Sequence, residues 1–425
     1  MKKTSLAALR WSLGTVVVAA AWGASAADWP QWRGPQQDGH VPPKANVPTT
    51  LPATPEVVWR VKVGDALASP VVSGGKVFHL DNQQGQETVH ALDAATGKEL
   101  WSLPFDSVFQ DSQHSVGPRC APLVDGDRVY VQSCRGELQC LNVADGKAVW
   151  RVNFLKDFGA LFIGEIGSAI GASRHGYTGP PVIDGDRLIA GVGGANGASV
   201  VCFDKRTGRV IWKSQDDMPG YCGPVVSTLA GVKQIVFFAA EAVLGLDARD
   251  GALLWRVPVK TSFGRHVTTP VIVDDMVVVS SHLAGLIGIK ISKDGDMLKA
   301  ERAWTVKDSA MNFACPVAVG PHLYGVGPAK NLVCVEVKTG RQAWSREGFF
   351  KSAPGNAYAG LLVLGGNVLV LTDSGELLLM AADAKEFREL GRTQVCGQNW
   401  CNPAYADGRL FLRDGQELRC VQLGP

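Results

Sequence analysis

Arginines, histidines and aromatic residues gather at related places along this chain, each a few residues ahead of a short apolar run that most often begins with Pro. They are His114 and Arg119; Arg174, His175 and Tyr177; Tyr221; Arg265 and His266; Asn312; Asn356 and Tyr358; and Gln398, Asn399 and Trp400. Guanidinium and imidazole groups brought together would make a cationic mouth for an anionic ligand, and Tyr and Trp would give it a stacking floor. Arg119, His175, Tyr221, His266, Asn312 and Trp400 are the residues expected to hold such a ligand. The plainer alternative is that these loop residues solvate a channel or bond to a neighbouring element.

Other chemistries are poorly served. There is no Gly-x-Ser-x-Gly elbow for a nucleophilic serine, no His-x-x-x-His, no cysteine pair at zinc spacing and no Asp-x-Asp-x-Asp-Gly calcium loop. No catalytic residue and no metal ligand is therefore assigned. Asp125-Gly126-Asp127 and Asp184-Gly185-Asp186 resemble pieces of a calcium loop, but they read better as hairpin turns. Calcium held between separate repeats stays open.

What would position these residues is a repeat. Residues 91–101 read Ala-Leu-Asp-Ala-Ala-Thr-Gly-Lys-Glu-Leu-Trp, and the same frame of eleven returns at 140–150, 202–212, 245–255 and 334–344. Each copy closes on a tryptophan: Trp101, Trp150, Trp212, Trp255 and Trp344. Asp93, Asn142, Asp204 and Asp247 can cap a turn, and Gly97, Gly146, Gly208, Gly251 and Gly340 accept positive φ, so each frame is strand, turn, strand. Upstream of each lies a second hairpin, as in Pro122-Leu123-Val124-Asp125-Gly126-Asp127-Arg128-Val129-Tyr130. Starts at Pro70, Pro122, Pro181, Pro224, Pro270, Pro316, Gly360 and Pro403 give eight units. Two are worn: 290–304 carries four extra residues before Trp304, and 380–390 lacks both Gly and Trp. The eighth runs out without an outgoing strand, which Val57-Val58-Trp59-Arg60-Val61 can supply from the other end. The expected architecture is all-β, an eight-bladed β-propeller of four-stranded antiparallel blades, closed into a ring by the N-terminal strand. An insertion at 154–177, with an amphipathic helix expected within 158–173, would lie over one face.

The chain has 425 residues, 46% of them hydrophobic, with 42 Lys+Arg against 40 Asp+Glu. Residues 1–26 read as a signal peptide: Lys2, Lys3 and Arg10, an apolar centre, then Ala24-Ser25-Ala26. Its removal lowers 42 basic residues to 39 against 40 acidic, net −1, which leaves no footprint for nucleic acid. Residues 27–57 form an N-terminal extended segment and 58–425 the propeller. No Cys precedes Cys120, so lipidation at the cut is not expected, and the mature protein should be periplasmic or secreted, without a membrane span and monomeric.

The cysteines divide by register. Cys140, Cys202, Cys334 and Cys420 share one position in the frame and should be core packing. Cys120, Cys134, Cys222, Cys315, Cys396 and Cys401 lie near strand starts, and in an oxidising compartment Cys120 with Cys134 and Cys396 with Cys401 are the disulfide candidates.

The frame Ala-x-Asp-x-x-Thr-Gly-Lys-x-x-Trp closely resembles the tryptophan-docking repeat of the pyrroloquinoline quinone (PQQ) propeller superfamily, over essentially the whole mature chain. Trp29-Pro30-Gln31-Trp32-Arg33-Gly34-Pro35 resembles the N-terminal signature of exported PQQ-like repeat proteins. The resemblance implies Trp59, Trp101, Trp150, Trp212, Trp255, Trp304 and Trp344 docked between neighbouring blades, and a central funnel. PQQ, a planar tricarboxylate, with calcium, is the cofactor it would bring. Yet the adjacent cysteines of quinoprotein dehydrogenases are missing, and so is a Cys-x-x-Cys-His haem site. The chain is also similar to the BamB-type propellers of outer-membrane assembly, which are lipoproteins. The expected role is an exported, non-catalytic binding or scaffold protein of the cell envelope, partnered by envelope proteins or a small anionic ligand. The alternative is a PQQ-dependent oxidoreductase acting on an alcohol or sugar.

Overall fold

A computed structural model describes residues 28–43, 45–112, 116–281, 283–350 and 357–424. The expected signal peptide, His114 and Asn356 lie outside the described residues. Eight four-stranded antiparallel sheets follow one another around a ring. Their innermost strands are Val71–Ser73, Leu123–Asp125, Val182–Asp184, Val225–Leu229, Val271–Val273, Val317–Val319, Ala359–Leu364 and Ala404–Ala406, one per blade in that order. Seven follow the starts read from the sequence, and the seventh blade's strand begins at Ala359, one residue ahead of Gly360. The eighth blade takes Glu56–Lys62 as its outer strand against Glu417–Gln422, with Trp59 opposite Cys420. The closing strand thus begins two residues before 58.

Two-residue turns join the inner strands: Asp125 pairs with Arg128, and Asp184 with Arg187. Asp407 (φ 50°) and Gly408 (φ 73°) show the positive φ that such turns need. Central strands are buried on both faces because blade packs on blade; all six residues of Ala242–Asp247 are buried.

The frame glycines have a second reason to be glycine. A Cβ on Gly97 would stand 2.7 Å from the Trp59 ring, and one on Gly146 would stand 2.6 Å from Trp101. Gly208, Gly251 and Gly340 meet Trp150, Trp212 and Trp304 in the same way. Each Trp lies flat on the turn of the next blade. Except at Trp212, its indole N–H then donates to the fourth residue of that frame, as in Trp59 to Ala94 O (3.0 Å), Trp101 to Val143 O (3.0 Å) and Trp304 to Val337 O (2.9 Å). Asp93 and Asp204 cap their turns as expected, whereas the Asn142 side chain accepts from Arg128 (2.8 Å).

Trp255 departs from the pattern, because it turns into its own blade and donates to Gln234 Oε1 at 2.6 Å. The next blade carries the four extra residues as a long hairpin, Gly285–Asp294 and Met297–Val306, so the glycine ledge is not at the same place. At the other worn unit, Gly391 stands opposite Leu379, where a Trp would stand, and Leu51 of the N-terminal segment lies beside it. Leu51, Val47 and Ala45 join the buried cluster of the last two blades.

The N-terminal segment does more than extend. Trp29 forms a bridge with Val72 of the first blade, and Pro30 O accepts from Val124 N of the second. Arg33, 4% exposed, donates to Pro316 O (2.8 Å) of the sixth, and Val41 N donates to Val363 O (2.9 Å) of the seventh. Residues 28–41 therefore cross the central channel between inner strands on opposite sides of the ring.

The expected helix within 158–173 does not form. Gly159, Gly164, Gly167 and Gly171 all take positive φ, and only the short helices Phe154–Phe158 and Ala172–His175 remain at the margins.

Candidate functional site

A pocket of about 960 Å3, mouth included, opens on the face where the inner strands begin. Every blade contributes to its lining. In five blades the residues one and three before the Pro start face it: Ser69 and Leu67, Ala121 and Arg119, Pro180 and Thr178, Thr269 and Val267, Cys315 and Phe313. This is the period of two of an extended chain approaching its strand. His175, Tyr221, Cys222, Arg265, Tyr358 and Trp400 complete the loops, and Trp32 rises into the pocket from the segment crossing the channel.

Of the six residues expected to hold a ligand, Arg119, His175, Tyr221 and Trp400 line the pocket together; His266 and Asn312 do not. Both stand four before their Pro, on the opposite parity. His266 is fully buried and stacks on Phe238 at 4.1 Å, while Arg265 and Val267 on either side face the pocket. Parity alone does not sort the loops, because His175, six before Pro181, lines the pocket as well. Trp32 carried no such signal, since only the path of the N-terminal segment brings it there. Its Nε1 donates to Thr269 Oγ1 at 2.9 Å.

Arg119 is held from behind. Its Nη1 donates to Asp111 Oδ2 (2.8 Å) and to the His175 carbonyl (2.9 Å), and its guanidinium lies 5.4 Å from the Phe109 ring centre. The same Asp111 oxygen is 3.1 Å from His175 Nδ1. Burial raises the Tyr221 phenol above its ordinary value, against the pull of Arg265, Arg174 and Arg119. Across the pocket Tyr358 stacks on Trp400 (5.6 Å, 12°), and Phe313 tilts against the same indole at 5.5 Å. Arg174 is engaged elsewhere, over Phe263 at 4.4 Å, and the Tyr177 hydroxyl donates to Leu161 O.

All ten cysteines are buried free thiols, including Cys120, Cys134, Cys396 and Cys401, so neither candidate disulfide is formed in this structure. Burial raises the thiols of Cys120, Cys134, Cys396 and Cys401, with Cys401 pushed up to about 11 and Cys396 to about 12. Cys140, Cys334 and Cys420 sit in blade cores at the expected register, as does Cys202.

The lining does not fit a calcium-assisted quinone. No carboxylate is among the described lining residues, and among the described residues no three His, Cys, Asp or Glu side chains converge as metal ligands. The nearest buried acid, Asp111, is already engaged by Arg119 and His175.

A family profile described as outer membrane protein assembly factor BamB matches residues 44–157 and 86–346. The outer membrane protein assembly factor BamB of Shewanella oneidensis is 24% identical over 311 residues, 70% of this chain and 63% of that protein, so the chain spans less than two thirds of this relative's length. Among solved structures, BamB from Moraxella catarrhalis superposes with a TM-score of 0.57 at 16% identity, covering 87% of this chain and 98% of that one. The quinohemoprotein alcohol dehydrogenase of Comamonas testosteroni gives 0.61 at 14%, covering 93% of this chain and 80% of that one. At such identities the two structures speak for the fold alone.

Proposed function

The chain belongs to the family described as outer membrane protein assembly factor BamB, and on that premise we propose that it is a non-catalytic binding and scaffold protein of the cell envelope. The observation that carries this reading is the funnel itself. Its described lining has two arginines, His175 and a wall of aromatic and apolar side chains but no carboxylate, so it offers no acidic side chain to hold a metal against a quinone. Such a surface binds. Around the mouth, the insertion exposes Leu161 (56%) and Ile166 (70%), apolar area of the kind that meets other proteins. Envelope location follows from the family and from the leader-like residues 1–26. Among the described residues no helix is long and apolar enough to cross a membrane.

The test is photocrosslinking from positions 161 and 166 in the exported protein, alongside dye-linked oxidation assays on alcohols and sugars with PQQ and calcium. A discrete adduct with one or a few envelope proteins, and no turnover, is expected. Turnover dependent on PQQ would overturn the reading in favour of an oxidoreductase.

A further inference from the structure

Two polar groups in the pocket wall keep hydrogen-bonding capacity that the described residues do not satisfy. The Arg119 side chain is only 6% exposed; Nη1 is engaged, while Nη2 and Nε have no partner. The Tyr221 hydroxyl, on a residue 9% exposed, also has none. Leaving a buried donor unmatched is costly, and a charged one more so, which marks both groups as waiting for an acceptor that comes from outside. Both groups line the same pocket.

The rest of the wall defines the body attached to that acceptor. Trp400 stacked on Tyr358, Phe313 tilted against it, and Trp32 present flat apolar faces. Trp32 is fixed by its bond to Thr269 and by Arg33 beside it, which is anchored on Pro316 O. Charge limits the acceptor. Asp111 lies directly behind Arg119, so the pair leaves little net charge, and Arg265 is the other arginine of the lining. Three carboxylates would find too few cations here; one finds a guanidinium edge and a phenol.

We propose that the funnel pocket binds a small aromatic monocarboxylate, its carboxylate received by Arg119 and Tyr221 and its ring by Trp400, Tyr358 and Trp32. The N-terminal segment is then part of the binding site as well as the seal of the channel, because without Trp32 the ring loses one wall. This does not depend on the scaffold reading, and crosslinking to a partner can succeed or fail without touching it.

The experiment is calorimetric titration of the purified mature protein with benzoate, indole-3-carboxylate and 2-naphthoate, each beside its uncharged carboxamide. Saturable binding of at least one acid is expected, at least tenfold tighter than its amide. Arg119→Gln and Tyr221→Phe should each weaken that acid at least tenfold while leaving the amide's affinity unchanged, and Trp32→Ala should weaken both. Because Arg119 also holds Asp111, its variant is checked by chemical denaturation; if it fails to fold, Tyr221→Phe carries the same test. No saturable binding by any of the three acids, equal affinity for acid and amide, or full affinity in Tyr221→Phe overturns the proposal.

Discussion

The seam between the first and second blades and the seam between the seventh and eighth do the same work with different residues. At the first, Trp101 lies on Gly146 and donates to Val143 O. At the second, the Trp register is held by Gly391, and Leu51 comes in from the N-terminal segment to cover it, backed by Val47 and by Thr393 bonded to Ala53 O. A blade edge needs apolar volume over its turn, and the volume need not come from the repeat. A worn unit survives because a piece of chain outside the repeat was available to fill it.

The comparison can be broken at several places. Trp255→Ala should be the most damaging, at about 3–5 kcal/mol in chemical denaturation, because this Trp is the most buried of the docking set and its loss also strands Gln234. A loss within measurement error would show that inward-turned Trp255 holds nothing. Leu51→Ala should cost about 1–2 kcal/mol, as expected for a half-buried leucine; no change in denaturation midpoint would mean the seventh blade is self-sufficient. A finer test compares Trp101→Phe with Trp212→Phe. Trp101 loses a made hydrogen bond, but Trp212 Nε1 has no partner, since the matching Ala248 carbonyl is taken by Arg187. The first substitution should therefore cost about 1 kcal/mol more than the second.

The smallest effect is a slope rather than an offset. Glu87 of the first blade accepts from Cys134 N of the second at 3.2 Å, and burial raises its carboxyl to about 8. An acid raised in the folded state favours the fold while protonated. Its contribution is full below the ordinary value of 4.5 and is lost as pH rises towards 8. Glu87→Gln should flatten the decline of thermal midpoint between those limits, and an unchanged slope would show that Glu87 is ionised in the fold.

Much of this was legible in the chain. Eleven-residue frames ending in Trp, Asp-Gly turns and a Trp at the right distance before the first unit state a closed ring of eight blades, because local turn chemistry and a fixed period leave few other ways to bury the strands. Four of six candidate ligand residues line the pocket, Arg119, Tyr221 and Trp400 from the register three before their Pro and His175 from the helix Ala172–His175, whereas His266 and Asn312, four before theirs, do not. The glycines within 158–173 were visible too, and they outweigh the apolar spacing that suggested a helix there. What tertiary structure alone decided is where the non-repeating residues go. Trp32 in the pocket, Arg33 against the sixth blade and Leu51 over Gly391 are contacts between residues hundreds of positions apart, with no period to announce them. They are fixed by which channel and which uncovered edge the closed ring leaves to be filled.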